Sequence, residues 1–286
     1  LISFSEDIVI FTAKIKQFSI LLQKIKSMGG FLFKELVFGP VKSRRLGVSL
    51  GINVLPVELK YCSFNCIYCE CGWTHKEQFR KVKLPGRDDI RMALVKKAKA
   101  MKAENYTPDA LTFAGNGEPT LHPDFPGIVD DTIEVRDSYF PQANITVLSN
   151  ATMLHKEPVF EALNRVDQNM LKLDAGTEET FRLINQPPPE LTLEKIIKQL
   201  KRFRGHLIIQ TLFLRAEVDG RAIDNTTDKE VNAWIGHLKE IKPDHVVIYP
   251  VDRETPDQNI EKISFDELRM IGKKLEEEGF KTKIFG

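Results

Sequence analysis

Cys62-Ser63-Phe64-Asn65-Cys66-Ile67-Tyr68-Cys69 holds three of the four cysteines in a chain of 286 residues. Thiolates are soft ligands that suit zinc or iron–sulfur clusters, and a loop folding back on itself can turn three of them to one face. Three is one fewer than the four that close a cluster, so one iron would stay open to a group that is not protein. The competing reading is a structural zinc knot completed by Cys71 or His75, as in a zinc-stabilised RNA-binding module. A disulfide fits poorly, because no signal peptide is evident and the expected compartment, the cytoplasm, keeps thiols reduced.

The flanking sequence sets the loop in an α/β frame. Val48–Leu55 reads as a strand entering it, with Pro56 ending the ladder. Arg87–Lys102 has helical periodicity through Ile90, Leu94, Ala98 and Met101, and leads to the apolar strand Ala110–Ala114. The step repeats: helices near Asp124–Asp137, Pro158–Asn164, Leu193–Phe203 and Lys229–Ile241 precede strands at Asn144–Ser149, Gln168–Asp174, His206–Leu214 and His245–Tyr249. A last helix, Phe265–Gly279, leads into Lys281–Phe285. Six strands alternating with helices predict a parallel sheet curled into a partial (β/α)6, TIM-like barrel. Pro187-Pro188-Pro189 reads as a rigid turn between helices.

Active sites of such barrels gather at the C-terminal ends of the strands, where this chain carries Asn150 and Asp174. Lys172 and Asp174 share a face by the period-two rule and point inward, with Leu171 and Leu173 turned to the helices. Gln210 is a comparable inward residue. Buried charge needs a partner, so the lysine and aspartate either pair with each other or receive a ligand. Arg253 in the Tyr249–Pro256 loop either grips an anion or pairs with Asp252 or Glu254, and Arg215 and Glu217 stand open in the same way. Lys42, Arg44 and Arg45, with Lys34 nearby, form the one local basic cluster, either a solvated edge or a phosphate contact. Cys71 is a reserve ligand, a reactive thiol or a packed cysteine.

Cys-x3-Cys-x2-Cys with Tyr68 before the last cysteine resembles the signature loop of the radical S-adenosylmethionine (SAM) superfamily. Leu111-Thr112-Phe113-Ala114-Gly115-Asn116-Gly117-Glu118-Pro119 is similar to that superfamily's Gly-Gly-Glu-Pro strand end, with Asn116 replacing the first glycine. Gly39–Gly47 followed by Ser49–Ile52 looks like the branch related to wyosine-base synthases, which modify guanine in transfer RNA. The resemblance runs from about Phe33 onward. It implies a [4Fe–4S] cluster on Cys62, Cys66 and Cys69, and a SAM site formed by Tyr68, Gly115, Asn116, Gly117, Glu118, Asn150 and Asp174. On this reading Asp174 reaches the ribose, Lys172 a carboxylate, and Gln210 lines the same wall. The implied activity is reductive cleavage of SAM to a 5′-deoxyadenosyl radical that abstracts hydrogen. The implied partners are an external electron donor such as flavodoxin or ferredoxin and an RNA base or nucleotide, the alternative substrate being a peptide or protein. No cysteine follows Cys71, so the second cluster of wyosine synthase has no ligands here.

Lys plus Arg, 41, nearly balance Asp plus Glu, 40, so no global field demands nucleic acid and RNA binding needs a local patch. No apolar run approaches the roughly 20 residues of a membrane span. The hydrophobic content of 42% supports one large domain, expected at residues 28–286 with a natural start at Met28-Gly29-Gly30. Residues 1–27 read as a translated upstream segment, a loosely attached helix, or a helical extension from about Lys14 to Lys26.

Overall fold

The computed structural model describes residues 30–286 apart from Asp219, Glu254 and Gln258. The expectations for residues 1–27, the start at Met28-Gly29 and the pairing of Arg253 with Glu254 lie outside the described residues.

Among the described residues, ten strands form one sheet. Seven run parallel in the order β2 (Gly47–Ile52), β3 (Ala110–Phe113), β4 (Asn144–Ser149), β5 (Gln168–Lys172), β6 (Ile208–Val218), β8 (His245–Pro250) and β10 (Thr282–Ile284). The first six are the predicted wall of the partial barrel, and β10 adds a short seventh strand beside β8. Helices α1 (Arg87–Ala103), α2 (Phe125–Tyr139), α3 (Glu157–Arg165), α5 (Leu193–Leu200), α6 (Asp228–Ile241) and α7 (Phe265–Glu277) match the expected ones within a few residues, Lys201–Phe203 being a 3-10 turn after α5. Their starts are written locally. Thr192 and Thr227 accept hydrogen bonds from backbone N–H groups three residues on, and Ser264 with Glu267 makes a capping box on α7.

Three features differ from the sequence reading. Val37–Ser43 forms β1, which pairs antiparallel with β2 through a turn at residues 44–46, so the first strand ends at Ile52 rather than Leu55. The far half of β6 leaves the barrel to pair with β7 (Arg221–Asp224) and β9 (Ile260–Lys262). Helix α4 (Glu178–Asn185) follows β5, started by Thr177, whose side chain accepts from Thr180 N–H. The triple proline then connects α4 to α5.

The period-two reading of β5 holds in space. Leu171 and Leu173 are buried, and the Trp234 indole of α6 donates to the Leu173 carbonyl at 3.1 Å on the helix side. Met170 and Lys172 face the lumen. Met170, Ile208 and Val247 pack with Leu46, Leu148 and Phe285 into an apolar floor. One step further along the same strands stand Lys172, Gln210 and Tyr249, a polar layer above that floor. The β1–β2 turn swings across the open side of the barrel: Arg44 pairs with Asp252 at 2.9 Å and also donates to the Gly286 carbonyl.

Candidate active site

The cysteine loop is tied to the end of β3 by backbone. Tyr61 N–H donates to Asn116 O at 2.7 Å, Glu118 N–H donates to Tyr61 O at 3.0 Å, and Tyr61 and Gly117 form a parallel bridge. Gly117 has φ +140, and a Cβ there would lie 2.0 Å from the Tyr61 carbonyl oxygen. Only glycine lets the two segments approach so closely. The two motifs thus meet one residue before Cys62.

Glu118 extends this connection to the end of β4. One carboxylate oxygen accepts from Thr120 N–H, Thr120 Oγ1 and Ser149 Oγ, and the other accepts from Asn150 N–H at 2.6 Å. Burial raises its pKa, against the pull of these donors. Asn150 carries the chain of contacts back to the cysteine loop, its amide donating to Ser63 Oγ at 3.0 Å and Cys62 Sγ at 3.6 Å.

A second network ties the loop to β5. Tyr68 donates its phenolic proton to Asp174 Oδ2 at 2.5 Å, Asn185 Nδ2 donates to the same oxygen at 2.9 Å, and Leu212 N–H donates to Oδ1 at 2.9 Å. Lys172 Nζ lies 3.5 Å from Oδ1 and 3.0 Å from Tyr249 Oη. Burial lowers the Lys172 pKa, but Asp174 and Tyr249 outweigh it, so the ammonium is held protonated. Asn185 also donates to Cys66 Sγ at 3.4 Å.

All four cysteines are free. Burial pushes the Cys62 and Cys66 thiols up. Cys69 is lowered to about 5, first by a hydrogen bond from the Cys71 thiol and then, against its burial, by the Lys60 charge. Cys71 has a second acceptor in reach, Gly115 O at 3.4 Å, and packs beside the loop. Lys60 is 3% exposed, donates to Gly72 O at 2.9 Å, and has no carboxylate partner among the described residues. Its charge acts on Cys69, Cys62 and Cys66 together.

These residues suit an iron–sulfur cluster: three thiols on one loop, amide N–H groups aimed at two sulfurs, and a buried cation beside them. Among the described residues no group of three or more His, Cys, Asp or Glu side chains converges on a single metal ion. The thiolates of a cubane each hold a different iron, so three sulfurs that hold a cluster need not converge on one ion. His75 is exposed beside Glu77.

The sequence profile of the radical SAM superfamily matches residues 59–215, more than half of the chain and both motifs. The chain belongs to the radical SAM superfamily. Enzymes of that superfamily use a [4Fe–4S] cluster and SAM as cofactors. Relatives include a Brachyspira hyodysenteriae protein named GTPase Obg, 32% identical over 84% of this chain and 33% of its own length. A UPF0026 protein of Methanocaldococcus jannaschii is 32% identical over 73% of this chain and 61% of that protein. The chain thus spans less than two thirds of either. In fold it is similar to a Sphaerobacter thermophilus radical SAM methyltransferase (TM-score 0.62, 15% identity, 83% of this chain and 65% of that one). It is also similar to Streptococcus suis SuiB bound to SAM (0.59, 16%, 82% and 50%) and to TYW1 with a lysine–pyruvate adduct bound (0.54, 17%, 80% and 73%).

Within this radical SAM site, the expected residues divide by what their side chains touch. The Asn116 amide bonds Phe33 N–H, Phe33 O and Pro56 O, fastening the segment before β1 rather than facing the cleft. Glu118, Asn150, Tyr68 and Asp174 are engaged with one another's loops. Gly115 and Gly117 line an open cleft of about 1640 Å³. Arg253 pairs with Glu70 at 2.7 Å, not with Asp252, and Arg215 is held by Asp224, Glu261 and Glu267. His122 Nδ1 accepts from Asp124 N–H and so shapes the approach to α2. Lys60 and Asn185 were missed by sequence reasoning. The Thr177 cap followed by Glu178 and Glu179 could have marked α4, but nothing local aims Asn185 at a sulfur 119 residues away.

Proposed function

We propose that this radical SAM enzyme directs a 5′-deoxyadenosyl radical at a hydrogen atom of an RNA base or nucleotide. The observation that carries the substrate half of this reading is the charge of the cleft. It is lined by Lys34, Lys42, Arg44, Arg45 and Arg253 against only Glu70 and Asp252 among the described residues. Both carboxylates are already paired, with Arg253 and Arg44. A positive excess beside the cofactor loops suits phosphate.

When bound, the cluster supplies one electron, drawn from an external donor such as flavodoxin or ferredoxin, and SAM yields methionine and the 5′-deoxyadenosyl radical. The chain does the rest. Cys62, Cys66 and Cys69 hold the cluster, while Asn150 and Asn185 orient two of those sulfurs and moderate their charge. The backbone of Gly115, Asn116 and Gly117 forms the wall against which SAM lies, and Glu118, Tyr68 and Asp174 keep the loops from parting. Lys172 and Gln210 face the lumen, where substrate meets cofactor. Residues 28–286 act as one catalytic unit.

Anaerobic reconstitution followed by an assay for 5′-deoxyadenosine tests the first half, and RNA capture across a salt series tests the second. The reading expects a brown protein that cleaves SAM, with RNA binding that weakens as salt rises. A colourless zinc protein without SAM affinity overturns it. So does cleavage stimulated by peptides but not by RNA or nucleotides.

A further inference from the structure

The basic Lys42-Ser43-Arg44-Arg45 turn does not act as one surface patch. Lys42 is exposed and Arg44 is paired with Asp252, but Arg45 turns into the barrel. Its guanidinium lies 4.4 Å from the centre of the Tyr249 ring and donates to Gln210 Oε1 at 3.2 Å. No carboxylate pairs with it among the described residues, and its planar fork has N–H donors beyond the one given to Gln210.

Lys172 approaches the same tyrosine from the other end, with Nζ 3.0 Å from Tyr249 Oη and 5.0 Å from the Tyr68 ring centre. Two cations therefore share the polar layer above the apolar floor, and among the described residues the single acid that touches either is Asp174. Asp174 already accepts from Tyr68, Asn185 and the Leu212 backbone. Arg45 borders both the large cleft and a chamber of about 70 Å³ that Tyr68 and Tyr249 also line. Lys172 is balanced by Asp174 and Arg45 has no acid partner among the described residues, so the layer carries one positive charge in excess over an apolar floor.

We propose that Arg45, Lys172 and the Tyr249 hydroxyl form a subsite for an oxyanion of the substrate, specifically a phosphate group, with Gln210 as a positioning residue whose Oε1 accepts from Arg45 while its amide donates to Met170 O. Arg45 supplies the planar fork, and Lys172 supplies a point charge. Phosphate is favoured over a lone carboxylate because Lys34 and Lys42 at the rim add further charge without acid partners among the described residues, which suits a group that carries up to two negative charges. The tyrosine between the two cations fixes their separation and stacks beneath Arg45. The subsite rests on the nucleotide reading above and assigns where its phosphate is held.

The test uses the cluster-loaded protein with SAM present, titrated calorimetrically with inorganic phosphate and, separately, with acetate. Parent protein binds phosphate saturably and more tightly than acetate. R45Q weakens phosphate binding by about tenfold or more, the loss of one charge-assisted fork. R45K keeps part of the affinity, and K198Q, on the exposed face of α5 away from the cleft, leaves it unchanged. SAM cleavage without substrate, read as 5′-deoxyadenosine in the same parent preparation, separates the two readings: cleavage without phosphate binding is failure of this subsite alone, and absence of cleavage is failure of the radical chemistry. Phosphate binding equal in parent, R45Q and R45K overturns the proposal. Acetate binding as tightly as phosphate overturns it too, as does an equal loss of SAM affinity in R45Q, which would make the anion the SAM carboxylate.

Discussion

Replacing Glu118 with glutamine changes one oxygen to NH2 and removes a charge, with almost no change of shape. In the parent, Oε1 accepts at 3.1, 2.5 and 2.8 Å and Oε2 accepts from Asn150 N–H at 2.6 Å. The glutamine carbonyl can keep the first three donors, but its NH2 must then face the Asn150 N–H, donor against donor. Stranding that buried N–H costs about 1–3 kcal/mol, and the three retained bonds weaken as they lose charge assistance. The amide also escapes the burial of an ionised carboxylate, which offsets part of the loss. The expected net is about 2 kcal/mol at neutral pH, a fall in Tm of about 4–8 °C. The sign with pH follows from linkage. Burial raises the folded pKa of Glu118 above its ordinary 4.5, so its titrating contribution is full below that value and is lost as pH rises through the folded pKa. Glutamine does not titrate, so the deficit of E118Q is largest at acid pH and shrinks as pH rises. Thermal melts of parent and E118Q across a pH series read both quantities. A Tm within about 1 °C of the parent, or a deficit that grows with pH, refutes the assignment of Glu118 as the clamp between the two strand ends.

Cys66→Ala abolishes the brown chromophore, whereas Cys71→Ala keeps it, since Cys71 packs against Gly115 outside the ligand triad; visible absorption and iron content after anaerobic reconstitution check both. Lys60→Met removes the buried cation beside the thiolates and makes the cluster's reduction potential more negative, while Lys60→Arg restores most of the parent value in a spectroscopic redox titration. Asp131→Asn weakens the bonds that Arg87 and Arg91 of α1 make to Asp131 of α2, at 2.7, 2.9 and 3.1 Å, while Arg91 keeps Glu134, and lowers stability by about 1–2 kcal/mol near pH 7 in urea denaturation. The hydrogen bond from Arg87 depresses the Asp131 pKa below its ordinary 3.8. The stability it adds is therefore present above that value and disappears as pH falls through the folded pKa, bringing parent and variant together in strong acid.

The cysteine spacing, the alternation of helices with apolar strands, and the period-two face of β5 were legible along the chain, because each depends on residues close in sequence. They determined the cofactor loop, the parallel barrel wall and the inward set of Lys172, Asp174 and Gln210. What the sequence alone left open was which polar side chains face the cleft and which bind the loops together. Asn116, Glu118 and Asn150 sit where a cofactor contact is expected, yet tertiary structure turns their side chains to partners dozens of residues distant. Arg45 reads as one of a run of surface charges until the β1–β2 turn carries it across to β6 and β8. Direction in space depends on how the sheet curls and which strands meet, and no local pattern of residues encodes that meeting.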